Sequence, residues 1–157
     1  MSVASRLAEL GIVLPGVAAP VAAYVPALRA GRQVWTSGQL PFVEGRLAVT
    51  GKVGDGEGLV SPEVAADLAR TAVLNALAAV ASEIGSLDQV TRIVKVTGFV
   101  ASDPSFTGQP AVINGASLVL GEIFGAAGVH VRSAVGVTVL PLDSPVEVEL
   151  IVEVAEA

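Results

Sequence analysis

The length, apolar composition and acidic balance of this chain limit its domain count, its assembly and its type of partner. Its 157 residues suit one domain with a substantial core. The 52% apolar share, with only 15% charged residues, indicates either a large sheet covered on both faces or subunits that share surface, and we favour the second. The net charge is −6 and the nine basic residues are scattered, which argues against nucleic acid as the main partner.

The residues that most often supply nucleophiles and metal ligands are scarce. The chain has no cysteine, which excludes disulfides and thiol chemistry, and its single histidine, His130, leaves no histidine cluster for zinc. We therefore expect neither a metal nor a cofactor. The N-terminus has no apolar signal-peptide core, and no uncharged apolar run of about 18 residues indicates a membrane span, so a soluble cytoplasmic protein is expected.

The start of the chain predicts a flank, followed by a hairpin, within a single domain over residues 1–157. A short amphipathic helix is predicted over Ser2–Leu10, and an extended connection continues through Pro20. Strands are then predicted over Tyr24–Ala30 and Gln33–Gln39, because two alternating runs are separated by a short turn.

The region after the hairpin contains breaks and short elements. Gly38, inside the second predicted strand, indicates a bulge or the close approach of another group. A third short strand is predicted over Arg46–Thr50. The four glycines of Gly51–Gly58 indicate a loop, and this loop lacks the residue order of a phosphate-binding P-loop.

Two helices and a long strand make up the middle of the chain. The first helix is predicted over Ser61–Ile84, with Ser61 as its N-cap and Gly85 as its stop. A β-branched run predicts a strand over Val90–Val100, and a second helix is predicted over Gln109–Phe124. With two closing strands the order is β-β-β-α-β-α-β-β, an α+β arrangement with two helices on one face of a mixed sheet.

The stretch from His130 to Val154 predicts two adjoining strands joined by a turn at residues 140–145. Alternation gives each strand one apolar row. The opposite rows combine small residues and charges: His130, Arg132, Ala134, Gly136 and Thr138 in the first strand, and Glu147, Glu149, Ile151 and Glu153 in the second. We predict that the helices cover the apolar rows and that the opposite rows meet a neighbouring subunit.

Four motifs, together with the order of elements, resemble the RidA (YjgF/YER057c/UK114) family over about residues 20–154. They are Tyr24-Val25, Ser37-Gly38-Gln39 before Pro41, Asn114 in the second helix, and Arg132-Ser133-Ala134-Val135 leading to Leu140-Pro141 and Val146-Glu147-Val148-Glu149. The closing stretch is the most specific part. The longer N-terminus and the residues around Asn114 resemble a less characterised branch rather than the central imine-deaminase group.

The resemblance implies a chorismate-mutase-like fold that assembles as a homotrimer, with ligand clefts between subunits. In active members an arginine binds the carboxylate of a 2-imino or enamine acid, and water hydrolyses the imine to a 2-oxo acid and ammonia. Arg132 matches that arginine, and Glu147 matches the acidic residue associated with the water. The main-chain group of Ala134 matches a position that holds water or substrate. Further matches near the cleft are Tyr24, Ser37, Gly38 and Asn114.

The same residues have a physical interpretation that does not need the resemblance. The planar fork of Arg132 suits a carboxylate, and Glu147 suits the orientation of water if it is partly buried. An ion pair between the two is the structural alternative, although Ala134 leaves space on that face. His130 is interpreted as a surface residue at a strand end.

Three functions from different classes fit these residues. The first is a deaminase-like hydrolase acting on 2-iminobutanoate or 2-iminopropanoate, and the second is a non-catalytic or regulatory trimer that holds a small carboxylate-bearing metabolite. The third is the endoribonuclease function attributed to some family members, which the acidic balance opposes. Ala134 stands where many members have cysteine, and Ser117 where active members often have tyrosine. The residues do not separate the first two functions.

Overall fold

A computed structural model of the chain describes residues 1–17 and 23–156, and the predicted extended segment through Pro20 lies partly outside them. The helices are α1 (Val3–Glu9), α2 (Pro62–Ile84) and α3 (Gln109–Phe124). The strands are β1 (Ala27–Ala30), β2 (Gln33–Thr36), β3 (Val90–Ala101), β4 (Val131–Val137) and β5 (Val146–Val154). Short 3₁₀ turns occupy Leu87–Gln89, Gly125–Gly128 and Pro141–Asp143.

The strands form one mixed sheet of five strands in the order β1-β2-β5-β3-β4. Neighbours are antiparallel except β3 and β4, which run parallel because α3 carries the chain back between them. The long helices α2 and α3 pack on one face of this sheet and enclose the core with it. The predicted α+β class, with helices on one face, is confirmed.

The long helices begin and end where the sequence predicts. The Ser61 hydroxyl accepts a hydrogen bond from the Val64 amide at 3.2 Å, and Gly85 ends α2 with a φ of 84°. Small residues let α2 lie close to its neighbours, because a Cβ on Gly115 of α3 would collide with the Ala66 backbone. The buried side of α2 consists largely of alanine: Ala65, Ala69, Ala72, Ala76, Ala78 and Ala79.

By length and composition alone, two helical stretches are apolar enough to cross a membrane, which the sequence did not predict: α2, and the stretch Gln109–Gly128 that joins α3 to the following 3₁₀ turn. Half of the most apolar window of α2, and 39% of the corresponding window that includes α3, are buried inside the fold. Core helices of a globular domain pass the same test, and the packing of both helices on the sheet accounts for their apolar character.

The third short strand predicted over residues 46–50 is not formed, and that part of the predicted order is wrong. Val43 and Arg46 pair only with each other across a tight turn, with N–O distances of 2.9 and 3.0 Å. The backbone then leaves the sheet, and the Gly51 amide donates to the Asp143 carbonyl at 2.8 Å. Groups in turns and loops therefore satisfy the backbone hydrogen bonds found in this segment. Among the described residues, no strand lies beside it to form a ladder.

The first two strands are shorter than predicted. β1 begins at Ala27, directly after Pro26, which has no N–H to donate to a ladder. β2 ends at Thr36, but the chain returns to β5 once more, where Gln39 and Val148 exchange hydrogen bonds of 2.8 and 3.0 Å. This bridge brings Gly38 alongside β5.

β4 and β5 are not neighbours, so the predicted adjoining pair is wrong. β3 lies between them, and Val96 of β3 is opposite both Arg132 of β4 and Leu150 of β5. Residues opposite one another share a face, and Val96 and Leu150 are buried against the helices. Arg132 therefore lies on the helix face of the sheet.

The other face of the sheet has no helix on it within the described residues. Phe99 of β3 lies opposite both Val135 of β4 and Glu147 of β5, so these side chains share this open face. For β5 the predicted facing of the apolar row is correct, because that row is buried against the helices. For β4 it is wrong, because Val131 and Val135 of its apolar row are 64% and 43% exposed. Alternation requires only that the two rows differ, whereas pairing with β3 decides which face each row occupies.

Candidate functional site

The predicted site residues form two groups, one on each face of the sheet. Arg132, Ala134 and Asn114 lie at the helix face, whereas Glu147 points to the open face. The prediction that Glu147 lies on a strand adjoining Arg132 is therefore wrong, and no ion pair joins these two residues.

The arginine cluster consists of Asn114 and Ser117 of α3, Arg132 of β4 and His130 just before β4. One guanidinium nitrogen of Arg132, Nη1, donates to Asn114 Oδ1 at 2.7 Å and to Ser117 Oγ at 3.2 Å. Asn114 and Ser117 are three residues apart on α3, so they lie on the same side of the helix. Their hydrogen bonds hold the guanidinium against the helix.

His130 extends the arginine cluster and is not the isolated surface residue that the sequence suggests. Its Nδ1 lies 2.6 Å from the Gly128 carbonyl oxygen, and its Nε2 lies 2.9 Å from Ser117 Oγ. Sequence reasoning missed this contact. The available signal is that His130, just before β4, is two residues from Arg132 and so extends the same alternating row, but nothing in the sequence places Ser117 beside that row.

Ala134 follows Arg132 on the same face of an edge strand. Its side chain packs against the core, opposite Gly98 of β3. The free space predicted beside Arg132 is smaller than expected, because a Cβ on Gly136 would lie 2.8 Å from the Nε2 of Gln109. Alanine has no polar side-chain atom, so only the backbone of Ala134, in an edge strand, can offer polar groups.

Glu147 borders a cavity of about 990 Å³ on the other side of the molecule. We call this cavity the glutamate pocket. Glu147 and Gly38 lie at one side of it. The remaining lining includes the apolar or aromatic residues Leu14, Tyr24, Leu40, Phe42, Val43 and Leu74. Pockets for small molecules commonly combine such apolar walls with a few polar groups.

The environment of Glu147 favours the protonated carboxyl group. Partial burial raises the pKa of Glu147, and the nearby charge of Glu149 raises it further. Gly38 makes this burial possible, because a Cβ at that position would overlap the Glu147 carboxyl group. The close approach predicted from a glycine at position 38 is thus present, and the approaching group is the candidate catalytic side chain.

Ser37 and Asn75 hold the walls of the glutamate pocket in place. The Ser37 hydroxyl donates to the Val25 carbonyl at 2.7 Å, which fixes the segment next to Tyr24. The side-chain amide of Asn75 on α2 donates to the carbonyls of Leu40 and Phe42 at 2.9 and 3.0 Å. The Tyr24 side chain lines the pocket and is 65% exposed. The substrate-binding role of Ser37 stays a prediction, since its hydroxyl is occupied here.

No group of three or more histidine, cysteine, aspartate or glutamate side chains in the described ranges is arranged to hold a metal ion. The two groups offer a guanidinium with its amide, hydroxyl and imidazole neighbours, a carboxyl with a raised pKa, and backbone groups.

The sequence and fold match a known family. Residues 4–154 match the family described as "YjgF/chorismate mutase-like, putative endoribonuclease". The chain belongs to the YjgF/chorismate-mutase-like family. The family prediction and the corresponding fold type are thereby confirmed.

Similar proteins span nearly the whole chain. Protein TCP17 of Trypanosoma cruzi is 41% identical over 152 residues, which cover 96% of this chain and 93% of that protein. The crystal structure of Atu1372 from Agrobacterium tumefaciens, a protein of unknown function, is 40% identical with a TM-score of 0.88, covering 98% of this chain and 92% of that one. Escherichia coli TdcF with bound serine is 27% identical with a TM-score of 0.59, covering 90% and 93%. This YjgF-family chain thus resembles Atu1372 more than TdcF.

Proposed function

We propose that this YjgF-family protein is a cytoplasmic homotrimer that binds small 2-imino and 2-oxo acids in clefts between subunits and hydrolyses the imines. One observation carries the proposal. Arg132 and Glu147 lie on opposite faces of the same sheet with β3 between their strands, so one subunit offers two incomplete half-sites. In a ring of subunits, the arginine cluster of one can face the glutamate pocket of the next.

The free part of the Arg132 guanidinium supports carboxylate binding. Within the described residues only Nη1 is hydrogen-bonded, and no carboxylate lies within ion-pair distance of the group. The remaining N–H groups can form two parallel hydrogen bonds to a ligand carboxylate. A purely structural arginine would be expected to have an acidic partner.

The raised pKa of Glu147 supports a role in handling water. Water adds to the carbon of the protonated imine and forms a C–O bond, and Glu147 accepts a proton from that water. Glu147 passes that proton to the nitrogen of the tetrahedral adduct. The C–N bond then breaks as the hydroxyl proton returns to Glu147, which releases ammonia and leaves the 2-oxo acid. No metal or cofactor is required, since a protonated imine is already electrophilic.

The apolar wall of the glutamate pocket supports a hydrocarbon substituent on the ligand. Leu14, Phe42 and Leu74 line the same cavity as Glu147, and the cavity is larger than the smallest imino acids need. The bound serine of TdcF is an amino acid of small size, which favours a related class of metabolite for this chain.

A non-catalytic trimer that binds the same metabolites is the second candidate. Ala134 and Ser117 favour it, because the thiol and phenol groups often found at these positions in active members are lost. Endoribonuclease activity appears in the description of the family, but the net charge of −6 opposes the binding of a phosphate backbone.

A coupled assay tests the proposal. An amino-acid oxidase generates the 2-imino acid in situ, and the decay of the imine is compared for native protein, Arg132→Ala and Glu147→Gln. We expect native protein to accelerate decay and both variants to lose at least about 100-fold in kcat/KM. Unaccelerated decay with retained calorimetric binding of 2-oxo acids would favour the non-catalytic trimer.

Assembly is tested separately by light scattering. The proposal requires a mass of three chains of 15.7 kDa each. A mass of one chain would contradict the shared cleft. Cleavage of RNA by highly purified protein, abolished by Arg132→Ala or Glu147→Gln, would support the endoribonuclease function instead.

A further inference from the structure

We propose that Ser117 and His130 are positioning residues that fix the orientation of Arg132 for carboxylate binding. This inference rests on the proposed function, because it assigns a role to the neighbours of Arg132. It concerns His130, which the family resemblance does not place in the site, and Ser117, which departs from the residue usual at its position. The carrying observation is a continuous chain of hydrogen bonds from the Gly128 carbonyl to Arg132.

The first link of the chain sets the tautomer of His130. A carbonyl oxygen can only accept, so the Nδ1 atom that lies 2.6 Å from the Gly128 oxygen carries the hydrogen. In the neutral ring Nε2 is then an acceptor. The Ser117 hydroxyl lies 2.9 Å from Nε2 and donates its hydrogen there.

The second link passes from Ser117 to Arg132. Because the hydroxyl hydrogen is committed to His130, the lone pairs of Ser117 Oγ are available to the guanidinium. Nη1 of Arg132 donates to that oxygen at 3.2 Å and to Asn114 Oδ1 at 2.7 Å. Every donor along this chain meets an acceptor, so the four side chains form one consistent network.

The network is anchored at a tightly packed part of the backbone. Gly128 is buried, and a Cβ there would collide with the Leu120 carbonyl of α3. The Gly128 carbonyl is therefore held in a fixed position relative to the same helix that carries Asn114 and Ser117. A helical serine often donates instead to the carbonyl four residues earlier, whereas Ser117 is directed to His130.

Orientation matters for this arginine because two parallel hydrogen bonds to a carboxylate require a defined guanidinium plane. A long flexible side chain loses rotamer freedom on binding, and prior ordering reduces that loss. Two acceptors on Nη1 define the plane and leave the rest of the group available for the ligand. Loss of Ser117 or His130 should therefore weaken carboxylate binding without removing the charge.

Calorimetry with 2-oxobutanoate and its methyl ester tests the inference. We expect Ser117→Ala and His130→Ala to raise the dissociation constant of 2-oxobutanoate about tenfold, with little change for the ester, and Ser117→Thr to restore binding because it keeps the hydroxyl. Ser82→Ala, an exposed serine of α2, is the matched control. Native affinity in Ser117→Ala, with binding lost in Arg132→Ala, would overturn the inference alone. Native affinity in Arg132→Ala would overturn the proposed site itself.

A spectroscopic measurement protects the test from variants that fail to fold. His130 is the single histidine, so a long-range ¹⁵N–¹H spectrum of the native protein contains one imidazole. We expect the Nδ1–H tautomer at neutral pH, and a shift of the Nε2 signal when 2-oxobutanoate is added. The Nε2–H tautomer, or an Nε2 signal unchanged at saturating ligand, would overturn the inference.

Discussion

The arginine cluster and the glutamate pocket are built by different means. In the arginine cluster, side chains of α3 and β4 hold one another through hydrogen bonds of 2.7 to 3.2 Å. The glutamate pocket is lined largely by loop residues, and its one candidate catalytic group is controlled by burial and by a neighbouring charge. The arginine cluster fixes the position of the Arg132 guanidinium. The glutamate pocket raises the pKa of Glu147 beside an apolar cavity.

This difference suits the two tasks of the imine hydrolysis that we propose. Carboxylate recognition requires rigid geometry, which regular elements provide. Water handling requires a carboxyl whose pKa lies closer to neutrality. Since Arg132 and Glu147 lie on opposite faces of the sheet, assembly would be the step that brings them together.

The largest expected effect is recovery of activity in mixed trimers. Arg132→Ala and Glu147→Gln should each be nearly inactive alone. When the two variants are unfolded together and refolded in equal amounts, about one cleft in four should combine an intact Arg132 with an intact Glu147 from the adjacent subunit. Imine hydrolysis should return to about one quarter of the native level.

Mixing the two variants after each has assembled provides the control and should restore nothing if trimers do not exchange subunits. Native mass spectrometry verifies that the refolded sample contains mixed trimers. Verified mixed trimers without activity would contradict a cleft that combines Arg132 of one subunit with Glu147 of the next.

An intermediate effect is expected for Gly38→Ala. The added Cβ would occupy the space of the Glu147 carboxyl group, so that side chain must move. We expect kcat for imine hydrolysis to fall about tenfold, with 2-oxo acid affinity nearly unchanged, because Arg132 is untouched. Gly121→Ala is the matched control, since no atom lies within 4 Å of a Cβ there. A large loss of 2-oxo acid affinity in Gly38→Ala would contradict the assignment of carboxylate binding to Arg132 and water handling to Glu147.

The smallest effect concerns the stability of the glutamate pocket. The pKa of Glu147 is raised in the folded state. The stability that this group contributes is therefore full below its unfolded-state pKa and is lost as pH rises through the folded-state pKa. Glu147→Gln should consequently be more stable than native protein at pH 7, by no more than about 1 kcal/mol because the side chain is only partly buried, and no more stable at about pH 3.5.

Thermal unfolding at the two pH values measures this difference, with Glu57→Gln in the exposed glycine-rich loop as control. Equal stability of Glu147→Gln and native protein at pH 7 would contradict the burial of the carboxylate. Increased stability with decreased activity would identify Glu147 as a residue kept for function.

Much of the fold could be predicted because its signals are local. The cap at Ser61, the stop at Gly85 and the alternation of β5 each depend on a few neighbouring residues, and these elements lie where predicted. The third strand was predicted wrongly because residues 46–50 are compatible with a strand but pair with no strand in the part of the chain that the structure describes. Local pattern indicates the capacity for a strand, and tertiary structure supplies the partner.

Candidate site residues could be identified from the sequence, but their arrangement in space could not. Arg132, Glu147 and Gly38 were identified from motifs, and Gly38 does approach Glu147. The contribution of Ser117 and His130 was missed, because the two residues are 13 positions apart and meet only when β4 packs beside α3. No spacing rule connects a mid-helix serine with a residue that precedes a strand.

The sequence by itself determined the family, the long helices and the closing strand, and it supplied Arg132 and Glu147 as candidate site residues. Only the tertiary structure decided that β3 separates Arg132 from Glu147 and that the apolar row of β4 faces outward. The physical reason is the range of the interactions involved. Caps and alternation act over a few residues, whereas the pairing and facing of strands depend on contacts between distant parts of the chain.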